Sequence, residues 1–256
     1  MIGAVVLAGG PVNGPDPLAI QAGVTKKSLI NIAGREMVRY VVEALSGSRR
    51  VGPIVMVGLS SQEVPGLEKV AAWVPDRGEL LDNVLAGLRR LGEIAPSSKW
   101  ALISSADIPL LSTEAVEHFL DSCLAHEADL YYSIVERTVM DSRFPGAGRS
   151  YVRLADGSFA GGDLYLVRRT VNMDLGLIRS LLGARKDALR MARQLGPVFI
   201  LKFLLRRLTV AEAEQRASRA LRCRGKAIIT PYAEIGMDVD KPHQLEIVRA
   251  VLESQG

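Results

Sequence analysis

Two adjacent glycines, two adjacent lysines and three aspartates are the residues of this chain best suited to chemistry on a phosphate. Gly9 and Gly10 end an apolar run, and Lys26 and Lys27 close the loop that follows. Glycine has no Cβ and tolerates positive φ, so the backbone N–H groups of such a turn can approach an anion closely. The ammonium groups add positive charge. Asp107 stands in Ser105-Ala106-Asp107-Ile108-Pro109, and Asp238 and Asp240 in Met237-Asp238-Val239-Asp240. Carboxylates are the hard oxygen ligands that Mg²⁺ takes, usually one or two of them, with water and substrate phosphate completing its octahedron. Glycine loop, lysine and metal together describe a nucleoside triphosphate site. Its catalytic work is charge neutralisation and in-line positioning, with no covalent intermediate on the protein. Each residue alone also has a plainer reading. Gly9-Gly10 can be an ordinary strand-to-loop turn, and each aspartate a helix cap or turn residue.

Regular elements must bring these groups together. Ile2 to Leu7 is apolar without alternation, the pattern of a strand buried on both faces. Pro11 to Thr25 has no periodicity, and a loop of that length in a compact domain is usually functional or mobile. A helix pattern follows at Met37, Val38, Tyr40, Val41, Val42 and Leu45. Further strands are expected at Ile54 to Leu59, Trp73 to Pro75, Trp100 to Ser105 and Asp129 to Val135. The helices between them are Leu80 to Leu91 and Thr113 to His126, the second with Ser112 as N-cap. This alternation predicts an α/β fold with a three-layer, mostly parallel, Rossmann-like sheet. Ligands of such sheets bind outside the carboxyl ends of the strands, where the Gly9-Gly10 and Asp107 loops would converge.

The second half reads differently. Arg149 to Ser158 resembles a hairpin with Asp156-Gly157 as its turn, and Phe159 to Asp163 precedes a strand at Leu164 to Val167. Helices are expected over Asn172 to Gly196 and Val210 to Cys223, a strand at Ala227 to Thr230 and a last helix at His243 to Leu252. The fold is thus expected as a single domain over 1–256, with a small antiparallel part and a basic, mostly helical insertion at 164–226. Within the insertion, Pro197 to Leu208 is strongly apolar, interrupted by Lys202, Arg206 and Arg207. As a helix it has a wide apolar arc, to be covered by the domain's own core, a second subunit of a homodimer, or an acceptor with an apolar part.

Composition sets bounds. Hydrophobic residues make up 48% of the chain, ample for a core. Cys123 and Cys223 are far apart and form no disulfide framework or thiolate metal motif. No run of about 20 apolar residues could span a membrane, and the opening lacks the basic region of a signal peptide; a reducing cytoplasm is the expected location. Between Leu164 and Lys226, twelve Arg and three Lys face two Asp and two Glu, an excess of eleven positive charges, although the whole chain carries only +4. That excess fits either a solvated Arg-rich surface or an anionic partner: a phosphorylated substrate, or an acidic membrane surface touched peripherally. Nucleic acid is not expected, because no aromatics interleave with the arginines as a stacking platform would require. His118, His126 and His243 are expected to be structural or surface residues.

The ordered set of motifs resembles the MobA-like nucleotidyltransferases, which include the molybdenum-cofactor guanylyltransferases and have a glycosyltransferase-A-type fold. Val5-Val6-Leu7-Ala8-Gly9-Gly10, Lys27-Ser28-Leu29-Ile30 and Ile32-Ala33-Gly34-Arg35-Glu36-Met37 are similar to that family's opening. Ser105-Ala106-Asp107-Ile108-Pro109 is similar to its metal-binding segment, and Gly78 to Leu88 to the stretch whose Asn holds the nucleotide. Gly161-Gly162-Asp163 looks like its Gly-Gly turn beside the acceptor, and Asp238-Val239-Asp240-Lys241-Pro242 like its closing segment. The resemblance implies Leu7, Ala8, Gly9, Gly10, Lys27 and Asn83 on the nucleotide, and Lys27 and Asp107 as the catalytic pair. It further implies Asp107, Asp238 and Asp240 on Mg²⁺ (or Mn²⁺), and Gly161, Gly162 and Asp163 beside the acceptor. The reaction implied is transfer of a nucleoside monophosphate to a phosphate- or acid-bearing small molecule with release of pyrophosphate, of guanylyl- or cytidylyltransferase type. Two departures stand out. The loop before Lys27 lacks the family's Arg, which Lys26 either replaces or does not, and 172–225 is longer than a minimal guanylyltransferase needs. Two alternatives stay open: a metal-dependent glycosyltransferase using a nucleotide-sugar, and a nucleotide-binding regulatory module without turnover.

Overall fold

The apolar run Ile2–Leu7 forms β1 in the interior of an eight-stranded sheet. The computed structural model describes residues 1–10, 14–171, 173–184 and 196–254. After β1 come α1 (Pro17–Gln21), the two-residue strands β2 (Asn31–Ile32) and β3 (Arg35–Glu36), α2 (Met37–Gly47), β4 (Val51–Val57), β5 (Val70–Val74), α3 (Leu80–Ile94) and β6 (Trp100–Ser105). Next are α4 (Thr113–Leu124), β7 (Leu130–Glu136), α5 (Arg137–Arg143), β8 (Val152–Leu154), β9 (Gly157–Arg168) and α6 (Leu175–Ala184). The chain closes with α7 (Pro197–Leu204), α8 (Val210–Leu221), β10 (Gly225–Thr230) and α9 (Pro242–Glu253).

The sheet order is β10-β7-β9-β6-β1-β4-β5, with β8 added to β9. β1 runs parallel to β4 and β6, and β7 parallel to β10, while β9 is antiparallel to both its neighbours. The expected mostly parallel sheet with a small antiparallel part is therefore what the chain forms. The two sides of β1 feed two cores. Ala4 and Val6 pack with residues of α2 and α4, and Val5 with Leu91 of α3. α3 lies very close to the sheet: a Cβ on Gly87 would meet Val5 Cγ1 at 2.4 Å. That close seat brings the first turn of α3, which carries Asn83, to the end of β1.

Several expectations need correction. The loop at 11–25 holds α1, capped by Asp16, whose Oδ1 accepts from Leu18 and Ala19 N–H at 2.8 and 3.2 Å, with Pro17 at the first helical position. An Asp-Pro start is a helix signal that the lack of a long periodic run obscured. α5 was not expected, and residues 11–13 lie outside the described residues. Gly161-Gly162 is not a turn: β9 runs unbroken from Gly157 to Arg168, with the hairpin turn at Ala155-Asp156. The glycines sit at a bulge, where Ser133 alone faces Gly162, Asp163 and Leu164 between the pairs Tyr132↔Tyr165 and Ile134↔Gly161. The helix expected over 172–196 is realised as α6; 185–195 lie outside the described residues. Ser112 caps α4 as expected, its Oγ accepting from Ala115 N–H at 3.1 Å.

Two features of the second half recur below. The first half of the outer edge of β10 is covered by side chains of α8: Gly225 N–H donates to Ser218 Oγ at 2.9 Å and Ala227 N–H to Glu214 Oε1 at 2.8 Å. The helix at 197–204 forms, but none of its residues is buried. Among the described residues, no helix is long and apolar enough to cross a membrane.

Candidate active site

Two of the three aspartates, Asp107 and Asp240, meet Lys27 at the carboxyl end of β1 and β6. Beyond β6, Ala106 N–H donates to Leu7 O at 2.9 Å, so the two strands stay together up to Asp107. Val239 N–H then donates to Asp107 O at 3.0 Å, which docks the distant 238–240 segment on the same loop. Val239 is wholly buried, and the aspartates flank it. Asp240 N–H donates to Oε1 of the buried Gln244 at 2.9 Å, which fixes the start of α9. Lys27, first residue of a 3₁₀ turn, places Nζ 2.7 Å from Asp107 Oδ2 and 2.5 Å from Asp240 Oδ1. Burial alone would lower the Lys27 pKa, but the charges of Asp107 and Asp240 outweigh it and raise the pKa above the ordinary lysine value. Ser105 donates its hydroxyl to Asp107 Oδ1 and steadies the carboxylate.

Asp238 points elsewhere. Its carboxylate pairs with Arg149, in the loop before β8. Both side chains are largely buried, and Arg149 Nε has no hydrogen-bond partner among the described residues. Sequence reasoning did not single out Arg149, an isolated cation after Gly146-Ala147-Gly148 with no periodic context.

The glycine loop is organised by another residue the sequence reading missed. Asp76 accepts Gly10 N–H at 2.8 Å, Gly78 N–H at 2.8 Å and Asn83 Nδ2 at 2.9 Å, while Asn83 Oδ1 accepts Arg77 N–H at 2.7 Å. Burial pushes the Asp76 carboxyl upward, but the hydrogen bonds from Asn83, Gly78 and Gly10, with the Lys26 charge, hold it below the ordinary carboxylate range. An anionic oxygen thus already sits on the Gly10 amide, and buried Asn83 stands against Gly9, where an added Cβ would lie 2.6 Å from Nδ2. Leu7 and Ala8 are the rigid approach to this loop: Ala8 is buried and its N–H donates to Val57 O at 2.8 Å.

Gly58 holds the loop from behind. Its φ is +98°, and a Cβ there would lie 2.5 Å from Gly9 N and 2.7 Å from Ala8 C. Lys26 Nζ donates to Gly58 O and lies 3.4 Å from Glu63 Oε1, so Lys26 clamps the loop to this wall. Gly58→Ala combines positive-φ strain with a backbone clash and is expected to cost about 3 kcal/mol. Calorimetry should show a melting temperature lower by roughly 6–12 °C; an unchanged value would mean the loop yields freely.

Across the cleft, Gly162 and Asp163 lie in the β9 bulge, which Gly161 bounds by pairing with Ile134. Added Cβ atoms would lie 2.0 Å from Tyr132 Oη at Gly161 and 2.4 Å from Ser133 Oγ at Gly162. Ser133 Oγ donates to Leu164 O at 2.8 Å and accepts from Leu164 N–H at 3.2 Å, pinning the bulge. The rings of Tyr132 and Tyr165 stack at 5.0 Å on one side. Burial, reinforced by Asp107, pushes the Asp163 carboxyl up to about 7, with Arg149 opposing, Asp240 adding and Lys27 opposing. Between the ordinary value of 3.8 and about 7 the folded chain therefore holds a proton that the unfolded chain has released. Stability falls as pH rises through that window. Asp163→Asn is expected to flatten this slope in melting curves recorded with a chelator; an equally steep slope in the variant would assign it to other groups.

Mg²⁺ fits the donors on one side of the cleft. Among the described residues no three His, Cys, Asp or Glu side chains converge to hold an ion. Two carboxylates do converge on one cation, the Lys27 ammonium, and one or two carboxylates are what Mg²⁺ takes beside substrate phosphate. Asp107 and Asp240 are thus the residues that would hold it, with Asp238 engaged by Arg149.

The sequence model described as MobA-like NTP transferase domain matches residues 4–228. A solved structure of a hypothetical transferase from Thermus thermophilus is 39% identical, with a TM-score of 0.83 over 95% of this chain and 99% of its own. A CMP:2-keto-3-deoxy-manno-octonic acid synthetase complexed with CTP shares the fold at 14% identity and a TM-score of 0.58, over 100% of both chains. A 4-diphosphocytidyl-2C-methyl-D-erythritol synthase from Anaerococcus prevotii shares it at 12% identity and 0.57, over 99% of this chain and 98% of its own. No curated protein matches.

Proposed function

The chain belongs to the family of MobA-like NTP transferase domains, and from that premise we propose that it moves a nucleoside monophosphate from an NTP to an anionic small-molecule acceptor, releasing pyrophosphate. The observation that carries this reading is the Lys27 ammonium held between Asp107 and Asp240 at the end of β1. An ammonium so placed can turn to a triphosphate entering over Gly9 and Gly10 and stabilise the charge that develops on transfer. Mg²⁺, or Mn²⁺ in its place, would supply charge neutralisation of the triphosphate when bound by Asp107 and Asp240.

The remaining roles belong to the chain's own residues. Asn83, oriented by Asp76, presents the nucleoside side of the cleft. Asp76 yields the Gly10 amide to a phosphate oxygen, one acceptor for another. The β9 bulge with Asp163, and the Tyr132–Tyr165 stack beside it, form the acceptor side. The acceptor's own phosphate or acid oxygen attacks the α-phosphorus, so no protein nucleophile is needed. Sugar transfer through Asp238-Val239-Asp240 has less support, because Arg149 engages the first of those carboxylates.

The test is a panel of the four NTPs with Mg²⁺. Stabilisation by a subset of them, followed by pyrophosphate release with a phosphorylated or acidic acceptor, is the expected result. Binding without pyrophosphate release across a broad acceptor panel would favour a regulatory nucleotide-binding module instead. The panel also separates guanylyl from cytidylyl transfer.

A further inference from the structure

Helix α7 presents the wrong face to the outside for a surface helix. Val198, Leu201, Leu204 and Leu205 are 67%, 57%, 69% and 56% exposed. At 100° per residue these four span an arc of about 120°. Phe199 and Phe203 lie on the opposite side and are half-buried against the chain. So the helix is anchored by its phenylalanines and turns its aliphatic residues to solvent. Pro197 starts it, and it ends where Arg206 takes a left-handed φ of 55°. Exposed Arg206 and Arg207 follow at once, and Lys202 lies on the flank of the apolar arc, paired with Glu212.

We propose that this face docks on an anionic lipid bilayer surface. A contiguous aliphatic patch of this kind needs an occupant, and the charge around it selects one. Of the 164–226 segment's cations, Arg206 and Arg207 stand exposed at the end of this helix, whereas Arg168, Arg179, Arg224 and Lys226 are paired with Asp129, Asp82, Glu127 and Glu214. Apolar residues rimmed by Arg and Lys are the composition of helices that lie in the plane of an acidic membrane, their apolar side at the headgroup–acyl boundary. A second copy of the chain fits less well. A two-fold contact would set this cationic flank against itself, and like charges brought together in a contact are unfavourable. The eight residues of the helix rise about 12 Å, well short of the ~30 Å hydrocarbon core, so it lies on the bilayer without spanning it.

The attachment of the helix gives the docking a direction. Ala155 N–H donates to Leu208 O at 2.8 Å, and Val210 N–H to Asp156 Oδ2 at 2.9 Å. The corner after α7 is therefore bonded to the β8–β9 turn, at the start of the strand that carries Gly161, Gly162 and Asp163.

The experiment is co-sedimentation of the full chain with vesicles of phosphatidylglycerol and phosphatidylcholine, and with vesicles of phosphatidylcholine alone. The unmodified chain is expected to pellet with the mixed vesicles only. Leu201→Ser with Leu204→Ser, and separately Arg206→Glu with Arg207→Glu, should each weaken that binding about tenfold or more. All four positions are exposed, so folding should survive, which the melting curve and light scattering of each variant will check. The proposal is overturned if the chain stays in solution with mixed vesicles, if it binds neutral vesicles equally well, or if the variants bind as the parent does. Loss of self-association in the leucine variant, without vesicle binding by the parent, would assign the face to a second copy. None of these outcomes touches the transfer reaction, which the NTP panel tests separately.

Discussion

Lys27→Ala is expected to lower the turnover number for pyrophosphate release by about two to three orders of magnitude, and Lys26→Ala by no more than a few-fold. The two lysines are neighbours in sequence and opposites in duty. Lys27 Nζ lies between Asp107 and Asp240, with its side chain 16% exposed, at the place where a triphosphate would arrive. Its raised pKa keeps it charged at any physiological pH: the stability that the pairing contributes is complete below the ordinary lysine value and is lost only as pH climbs through the higher, folded one. Lys26 spends its ammonium on Gly58 O and Glu63, behind the loop. Steady-state rates of both variants, with melting curves to confirm folding, decide the matter. A larger loss for Lys26→Ala would show that Lys26 is the residue replacing the missing arginine.

The second large effect is at Asp107. Asp107→Asn keeps the side chain's size and leaves the backbone bond from Val239 in place, but removes the charge that faces Lys27 and would face the metal. A loss of two or more orders of magnitude in turnover is expected, on the scale of about 3 kcal/mol of electrostatic stabilisation, with the fold intact. Near-normal turnover at saturating Mg²⁺ would remove Asp107 from the mechanism. Asp240→Asn serves as the companion measurement. Its side chain is 55% exposed against 17% for Asp107, so solvent screens it more and the loss should be smaller.

The sequence made the parallel sheet readable because buried strands announce themselves as unbroken apolar runs. Ile2–Leu7, Trp100–Ser105 and the loops after them needed nothing more. The approach of the Gly9-Gly10 and Asp107 loops was legible through the rule that ligands gather at carboxyl ends of strands; Lys27 and Asp240 came from the resemblance, which placed Asp238 with them although it pairs with Arg149. Asp76 was not legible. In Pro75-Asp76-Arg77-Gly78 it reads as a turn residue, and its role exists only because α3 sits close enough to bring Asn83 beside Gly9. Gly161-Gly162 misled for a related reason. Turns and bulges use the same glycines, and what separates them is the cross-strand neighbours Tyr132 and Ser133, which lie far away in sequence. At α7, periodicity gave a wide apolar arc with Leu204 beside Phe199 and Phe203, but the phenylalanines turn to the chain while Leu204 faces outward with Val198, Leu201 and Leu205.

The half-covered edge of β10 bears on how the protein behaves in crowded solution. A bare strand edge is a template on which another polypeptide can add itself, strand by strand, into fibres. Here Ser218 and Glu214 already take the outward amides of Gly225 and Ala227. An incoming strand would have to displace two bonds before making its own, so polymerisation from this side is checked by these bonds, with Lys226 beside them and no proline in the strand.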